Sequence, residues 1–362
     1  MDIVEQTAMF VTTRILPSVK PQQLKLFSFG LQALSLTPYQ SLGSNARHII
    51  ANTHTASSKI YRLVSNKTLL KNFQRMVTVS GLVTRNSFIN VDFSTFCGFQ
   101  ALVFAVQTGK GRALPVWNNS LTYPIEQEGS QNIFVLEELK QFGGTLGFFP
   151  RFVFDRGFWI PCVMKFFLEH KILFYLRIKQ RQHLKWIQTN NQKKKRRRRG
   201  KSKKGKEYTA CVIGKYTKDA RISLFGYSMR LIISPPPPVQ TNPKKKQNTQ
   251  RWYIITNDAN STREEILQTY NTRFEIEEAF KDMKHIEQLK VLHIKTIKTF
   301  TILLWFATLT FWLAYWREAV TRGKEKQTKD KKERSFFRIF WEELQRAFRI
   351  ERLNRIVGIP SG

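Results

Sequence analysis

The sequence predicts an α/β protein: a mixed sheet flanked by helices, with a β-rich insertion and a helical N-terminal region. Three observations carry that expectation. In Phe88-Ile89-Asn90-Val91-Asp92-Phe93-Ser94, the apolar residues Ile89, Val91 and Phe93 fall on one face and Asn90, Asp92 and Ser94 on the other, which is the alternation of a half-buried strand. Further strand-like segments follow with a helical one among them. From Thr262 to the C-terminus the pattern is helical.

Taken in order, residues 1–84 form a helical N-terminal region, with apolar residues at helical spacing in 23–36 and Lys59, Arg62, Lys67, Lys71 and Arg75 scattered through its second half. Two readings fit, a DNA-binding region or a helical packing domain with a basic surface, and no helix-turn-helix pattern stands out. Residues 85–178 are the first part of the core. Strands at 88–94, 101–108 and 112–116, the last two joined by the turn Gly109-Lys110-Gly111, make a three-stranded meander. A helix is expected over 131–142, stopped by Gly143-Gly144, then a strand at 149–154 ended by Asp155, and another strand at 172–178. Three strands, helix, strand, helix or turn, strand is the ribonuclease H-like order.

Residues 179–250 interrupt this pattern. They hold the tract KKKRRRRGKSKKGK at 193–206, strand-like pieces at 208–215, 221–225 and 229–233, and a proline run at 235–238, and they read as a β-rich insertion carrying a basic loop. With 11 Lys or Arg in 14 residues, the tract is a solvated loop, a phosphate clamp or, in a eukaryotic host, a nuclear-localisation signal. Residues 251–325 are the second part of the core, opening on a returning strand at 252–256, and 326–362 are a basic helical tail.

Composition narrows the partner. Sixty Lys and Arg against 26 Asp and Glu give a formal charge of +34, which calls for a polyanion, either nucleic acid or an acidic membrane surface. Cys97, Cys162 and Cys211 are far apart and lack any Cys-x-x-Cys spacing, and the six histidines form no zinc-type pattern, so neither a disulfide scaffold nor a zinc ribbon is indicated and a reducing cytoplasm is expected. The acidic start of the chain gives no secretory signal. The run 300–316 is apolar apart from three threonines; at this length it reads as a helix buried in protein rather than a membrane span.

The most informative segment is 270–284. In a continuous helix Tyr270, Arg273, Glu277 and Lys284 fall within an arc of roughly 60°, presenting an aromatic, two cations and a carboxylate; by itself this pattern is also that of a solvated face with spaced ion pairs. The spacing Tyr, two residues, Arg, three residues, Glu, six residues, Lys resembles the signature of a group of bacterial DDE-type insertion-sequence transposases. Asp155-Arg156-Gly157-Phe158 after an apolar strand resembles the second catalytic Asp of that family, Asp92 the first, and Thr256-Asn257 the lead-in to the signature helix. Phe274 stands where the family often has Trp, and the basic tract is unusually dense.

The resemblance covers residues 85–320. It implies a Mg²⁺-dependent transposase in which Asp92, Asp155 and Glu277 hold two ions, with Mn²⁺ able to substitute, while Tyr270, Arg273, Lys281 and Lys284 contact phosphates. The chemistry is consistent: two-metal phosphoryl transfer needs hard oxygen ligands holding two ions about 3.5–4 Å apart. Implied with it are double-stranded DNA partners (the element's terminal inverted repeats and target DNA), a homodimer in the DNA complex, no membrane, and a bacterial cytoplasmic, nucleoid-associated location. The alternatives are an inactive DNA-binding remnant and a non-mobile ribonuclease H-like nuclease.

Overall fold

The structure, a computed structural model, describes residues 52–122 without 66 and 97, 131–187, 207–236, 251–285, 294–322 and seven positions between 337 and 346. Most of the N-terminal region, the basic tract, the end of the proline run and most of the C-terminal tail lie outside the described residues. In chain order the elements are helices α1 (Thr53–Ser65) and α2 (Lys67–Val79); strands β1 (Phe88–Phe96), β2 (Phe99–Val106) and β3 (Leu114–Thr122); α3 (Gln131–Leu146), β4 (Arg151–Phe154), α4 (Pro161–Glu169) and β5 (Phe174–Arg177). Then come β6 (His183–Trp186), β7 (Glu207–Thr209), the single turn α5 (Ala210–Ile213), β8 (Asp219–Leu224), β9 (Tyr227–Ile233) and β10 (Tyr253–Thr256). Helices α6 (Arg263–Asn271), α7 (Glu275–His285) and α8 (Ile297–Arg322) follow.

All ten strands belong to one mixed sheet, ordered β3-β2-β1-β4-β5-β10-β9-β8-β6-β7. The first three form the antiparallel meander, β4 runs parallel to β1, and β5 runs parallel to β4. β10 returns antiparallel to β5, and the strands of the insertion continue antiparallel from it. The insertion thus extends the same sheet, because the free edge of β10 is completed by β9.

Several sequence expectations shift in detail. α3 does not stop at Gly143-Gly144 but runs to Leu146, and Gly147, at φ +75°, terminates it. Gly143 is there for contact: a Cβ at that position would lie 2.0 Å from the Phe149 ring. The third strand starts at Leu114 and runs to Thr122, since Gly109 and Gly111, both at positive φ, hold the preceding loop. Segment 208–215 is strand only to Thr209 and then turns into α5.

The apolar run near the C-terminus is the heart of α8, buried against β3, β2, α1 and α2. By length and composition this helix could cross a membrane, yet 83% of its most apolar window is covered by protein. Its threonines show why: Asn118 Nδ2 donates to Thr308 Oγ1 at 2.8 Å, Ser120 and Thr301 share a hydrogen bond, and Thr310 Oγ1 bonds the Ala307 carbonyl at 2.7 Å. Two of the three therefore read the polar positions of β3, and Trp312 Nε1 bonds the Pro115 carbonyl beside them. Phe142, Phe152 and Phe167 build the core between the sheet and α3 and α4. On the other face, Ile266 and Tyr270 of α6 pack on Val153, Tyr175, Ile232 and Ile254.

Candidate active site

Parallel pairing of β1 and β4 places the first two acids. Val91 pairs with Phe154, so Asp92, in the middle of β1, and Asp155, just past the end of β4, follow the last paired residues side by side. Both share a sheet face with Val153 and Tyr175, the face that α6 covers.

The third acid arrives on a broken helix rather than a continuous one. A 3₁₀ turn, Thr272–Phe274, separates α6 from α7. Within it the Arg273 carbonyl accepts from Asn90 Nδ2 at 3.4 Å, and Asn90 in turn accepts from Gln107 Nε2 at 2.7 Å. That tether draws the turn down onto β1, and tightening to 3₁₀ is the usual way a helix absorbs such a local displacement. A capping box at Thr262 and Glu265 fixes the start of α6. Glu275, at the start of α7, accepts backbone N–H bonds from Thr108 (2.9 Å) and Gly111 (2.8 Å), which bolts the helix to the β2–β3 loop. Arg112 of that loop adds an ion pair to Asp282 at 2.7 Å.

The result is a compact cluster. Arg273 Nη1 donates to Asp92 Oδ2 at 3.2 Å and its Nη2 to Glu277 Oε1 at 2.6 Å, while the Tyr270 hydroxyl donates to Asp155 Oδ1 at 3.1 Å. Arg177 Nη1 lies 3.9 Å from the same Asp155 oxygen. The Arg273 side chain is only 4% exposed, and its guanidinium stands over the rings of Tyr270 and Phe274. Its Nε is buried without a partner among the described residues.

Three acids are thus set against two guanidiniums, and the balance is written in the protonation of Asp92. Burial pushes its carboxyl up to about 6; Arg273 and the Phe93 N–H oppose that rise, and the charges of Asp155 and Glu277 add to it. Burial also pulls at Arg273, but Tyr270 and the three acids outweigh it and hold the guanidinium more firmly charged. The Tyr270 phenol is driven up by burial and by Asp155, and stays a donor.

As a donor set, three carboxylates with no thiolate or imidazole suit a hard divalent cation such as Mg²⁺. In this conformation the space between Asp92 and Glu277 is bridged by Arg273, and among the described residues no three acidic, His or Cys side chains enclose a cation position.

No protein-family model matches the chain, and no curated protein does. Among solved structures, a piggyBac transposase in a synaptic complex with hairpin DNA, determined by cryo-electron microscopy, aligns over 97% of this chain and 82% of its own, at 10% sequence identity and a TM-score of 0.47.

Five of the seven residues singled out from sequence therefore meet: Asp92, Asp155, Glu277, Tyr270 and Arg273. Tyr270 is fully buried and, like Arg273, is turned toward the acids. The other two sit further along α7, Lys281 paired with Glu278 on the exposed side and Lys284 over the Phe96 ring at 5.0 Å. Sequence reasoning missed Arg177, Asn90 with Gln107, and Glu275. Arg177 carried a usable signal, since it lies two residues from Tyr175 on the same strand face as the acids. The other contacts span up to 183 positions and have no local trace.

Proposed function

We propose that this chain is a DNA transposase of ribonuclease H-like architecture, cutting phosphodiesters at the ends of its own element and joining the resulting 3′-hydroxyls to target DNA. The observation that carries the reading is the convergence of Asp92, Asp155 and Glu277 on one sheet face around shared donors. The order β3-β2-β1-β4-β5, with two parallel strands following an antiparallel meander, supports the architecture.

In this reading Asp92, Asp155 and Glu277 hold two Mg²⁺ ions, with Mn²⁺ able to substitute. When bound, the ions supply activation of the attacking oxygen and charge stabilisation at the leaving one. The chain's own groups set up that chemistry. The Tyr270 hydroxyl fixes the Asp155 carboxylate, and Arg273 neutralises Asp92 and Glu277 by occupying one oxygen of each until the ions take them. In the metal-free site burial pushes the Asp92 carboxyl up to about 6, so protons compete with the ions for this ligand as the pH falls. Lys281 and Lys284 are assigned to phosphates of the bound end. Tyr270 and Arg273, buried against the acids in this conformation, are assigned to the same phosphates, each exchanging its carboxylate for a phosphate when the end is bound. Double-stranded DNA, a homodimer in the DNA complex and a bacterial nucleoid location belong to the same proposal.

The test is incubation of purified protein with Mg²⁺ and a supercoiled plasmid bearing the element's ends, comparing wild type with Asp92→Ala and Glu277→Gln. Cleavage at the ends that vanishes in both variants, with binding of the ends retained, is the expected outcome. Binding without cleavage in all three proteins would make the chain an inactive DNA-binding remnant, and cleavage without joining would make it a non-mobile nuclease.

A further inference from the structure

Next to Asp155 the structure has a second, strongly basic feature that the three-acid chemistry does not use. A cavity of about 200 Å³ is lined by Arg156, Arg177, Lys179, Arg181 and Arg251, with Ile178 and Gln180 between them and no acid in its wall. The topology gathers these cations. Arg156 opens the 3₁₀ turn after Asp155, Arg177 ends β5, Lys179 and Arg181 belong to the next turn, and Arg251 leads into β10, which pairs with β5.

The backbone under them is fixed: Gln182 N–H bonds the Lys179 carbonyl, and Ala210 and Cys211 N–H bond the carbonyls of Gln182 and Gln180, each at 2.9 Å. Of the five cations, only Arg177 has an acidic partner among the described residues, and that partner is Asp155. Five like charges around one small space repel each other, so folding alone gives no reason to collect them there. An anion does. The volume falls below the roughly 300–1,000 Å³ of an ordinary small-molecule pocket, and the wall is charged rather than apolar.

We propose that this cavity is a phosphodiester-binding site for a nucleic-acid strand leaving the three acids, with Arg177 as the link between the two sites. The choice of ligand rests on the transposase reading; the basic cavity does not. Phosphate contacts of this kind position a strand without reading its sequence.

The experiment measures binding of the full chain, without divalent metal, to labelled single-stranded and duplex oligonucleotides across a KCl series. It compares wild type, Arg181→Gln with Arg251→Gln, and a control with the same charge loss at the exposed Lys215→Gln and Lys218→Gln. Losing two phosphate contacts lowers the slope of log affinity against log salt by about 1.8 on duplex and about 1.4 on single strands. The cavity pair should show that fall and the control should not, and Arg181→Lys with Arg251→Lys should restore the wild-type slope. Equal slopes in the cavity pair and the control overturn the proposal. A protein that shows the expected slopes yet never cuts DNA with Mg²⁺ would leave the cavity standing and bring down the transposase reading instead.

Discussion

Asp92 illustrates how a site can work against the fold that holds it. Burial pushes its folded carboxyl up to about 6 from an ordinary 3.8, so between those values the native state binds more protons than the unfolded one. The stabilising contribution is full below about pH 4 and is lost as pH rises through about 6. At neutral pH the ionised group therefore weighs on the fold by about 3 kcal/mol, an order-of-magnitude figure from the size of that displacement. Asp92→Asn removes the titration: chemical denaturation at pH 4 and pH 7 should show the variant gaining on wild type by about that amount between the two. A constant difference would mean that Asp92 is not the destabilised group. Arg273 yields a second prediction. Because its two amino groups occupy oxygens of Asp92 and Glu277, it competes with any divalent ion for them. Arg273→Gln should therefore tighten Mn²⁺ binding in calorimetry, and weaker binding would mean that the guanidinium instead preorganises the ligands.

At the scale of elements, the two glycines of α3 give opposite predictions from one dipeptide. Gly143 faces the Phe149 ring and has no room for a methyl, so Gly143→Ala should cost about 1–3 kcal/mol through overpacking. Gly144 is exposed with nothing within 4 Å, and Gly144→Ala should stabilise by about 0.5–1 kcal/mol through helix propensity. Thermal melts of the two variants should move in opposite directions. The same pair shows what sequence could and could not give. Glycine is a sound stop signal locally, but the Phe149 contact comes from the chain folding back, and only Gly147 adopts the left-handed φ that ends the helix. Likewise, alternation in β1 and the apolar approach to Asp155 were legible, because burial repeats every second residue in a strand. The break between α6 and α7 was not, because it follows from a hydrogen bond to Asn90 on a distant strand.

Across the whole molecule, one sheet joins the meander, the two parallel strands and the insertion, so these parts should lose structure together. Tryptophans sample both ends, with Trp117 and Trp305 in the core and Trp186 on β6. Fluorescence and far-ultraviolet circular dichroism melts should superimpose, and a separate early fluorescence step would show that the insertion unfolds by itself. The long helix α8 is the other global tie. Trp312→Ala removes a buried indole and its bond to Pro115, and should cost about 3–5 kcal/mol while leaving the acids in place.

One further consequence comes from the β2–β3 loop. Glu275 and Asp282 are both gripped by that loop, and Glu277 lies between those two anchors on the same helix. The third acid therefore has no pivot of its own: it rides with the loop as a rigid handle. Lys110 of the same loop pairs with Glu318 and stands over the Tyr315 ring, so the long helix α8 backs the loop from behind and the third acid is braced through it against the core.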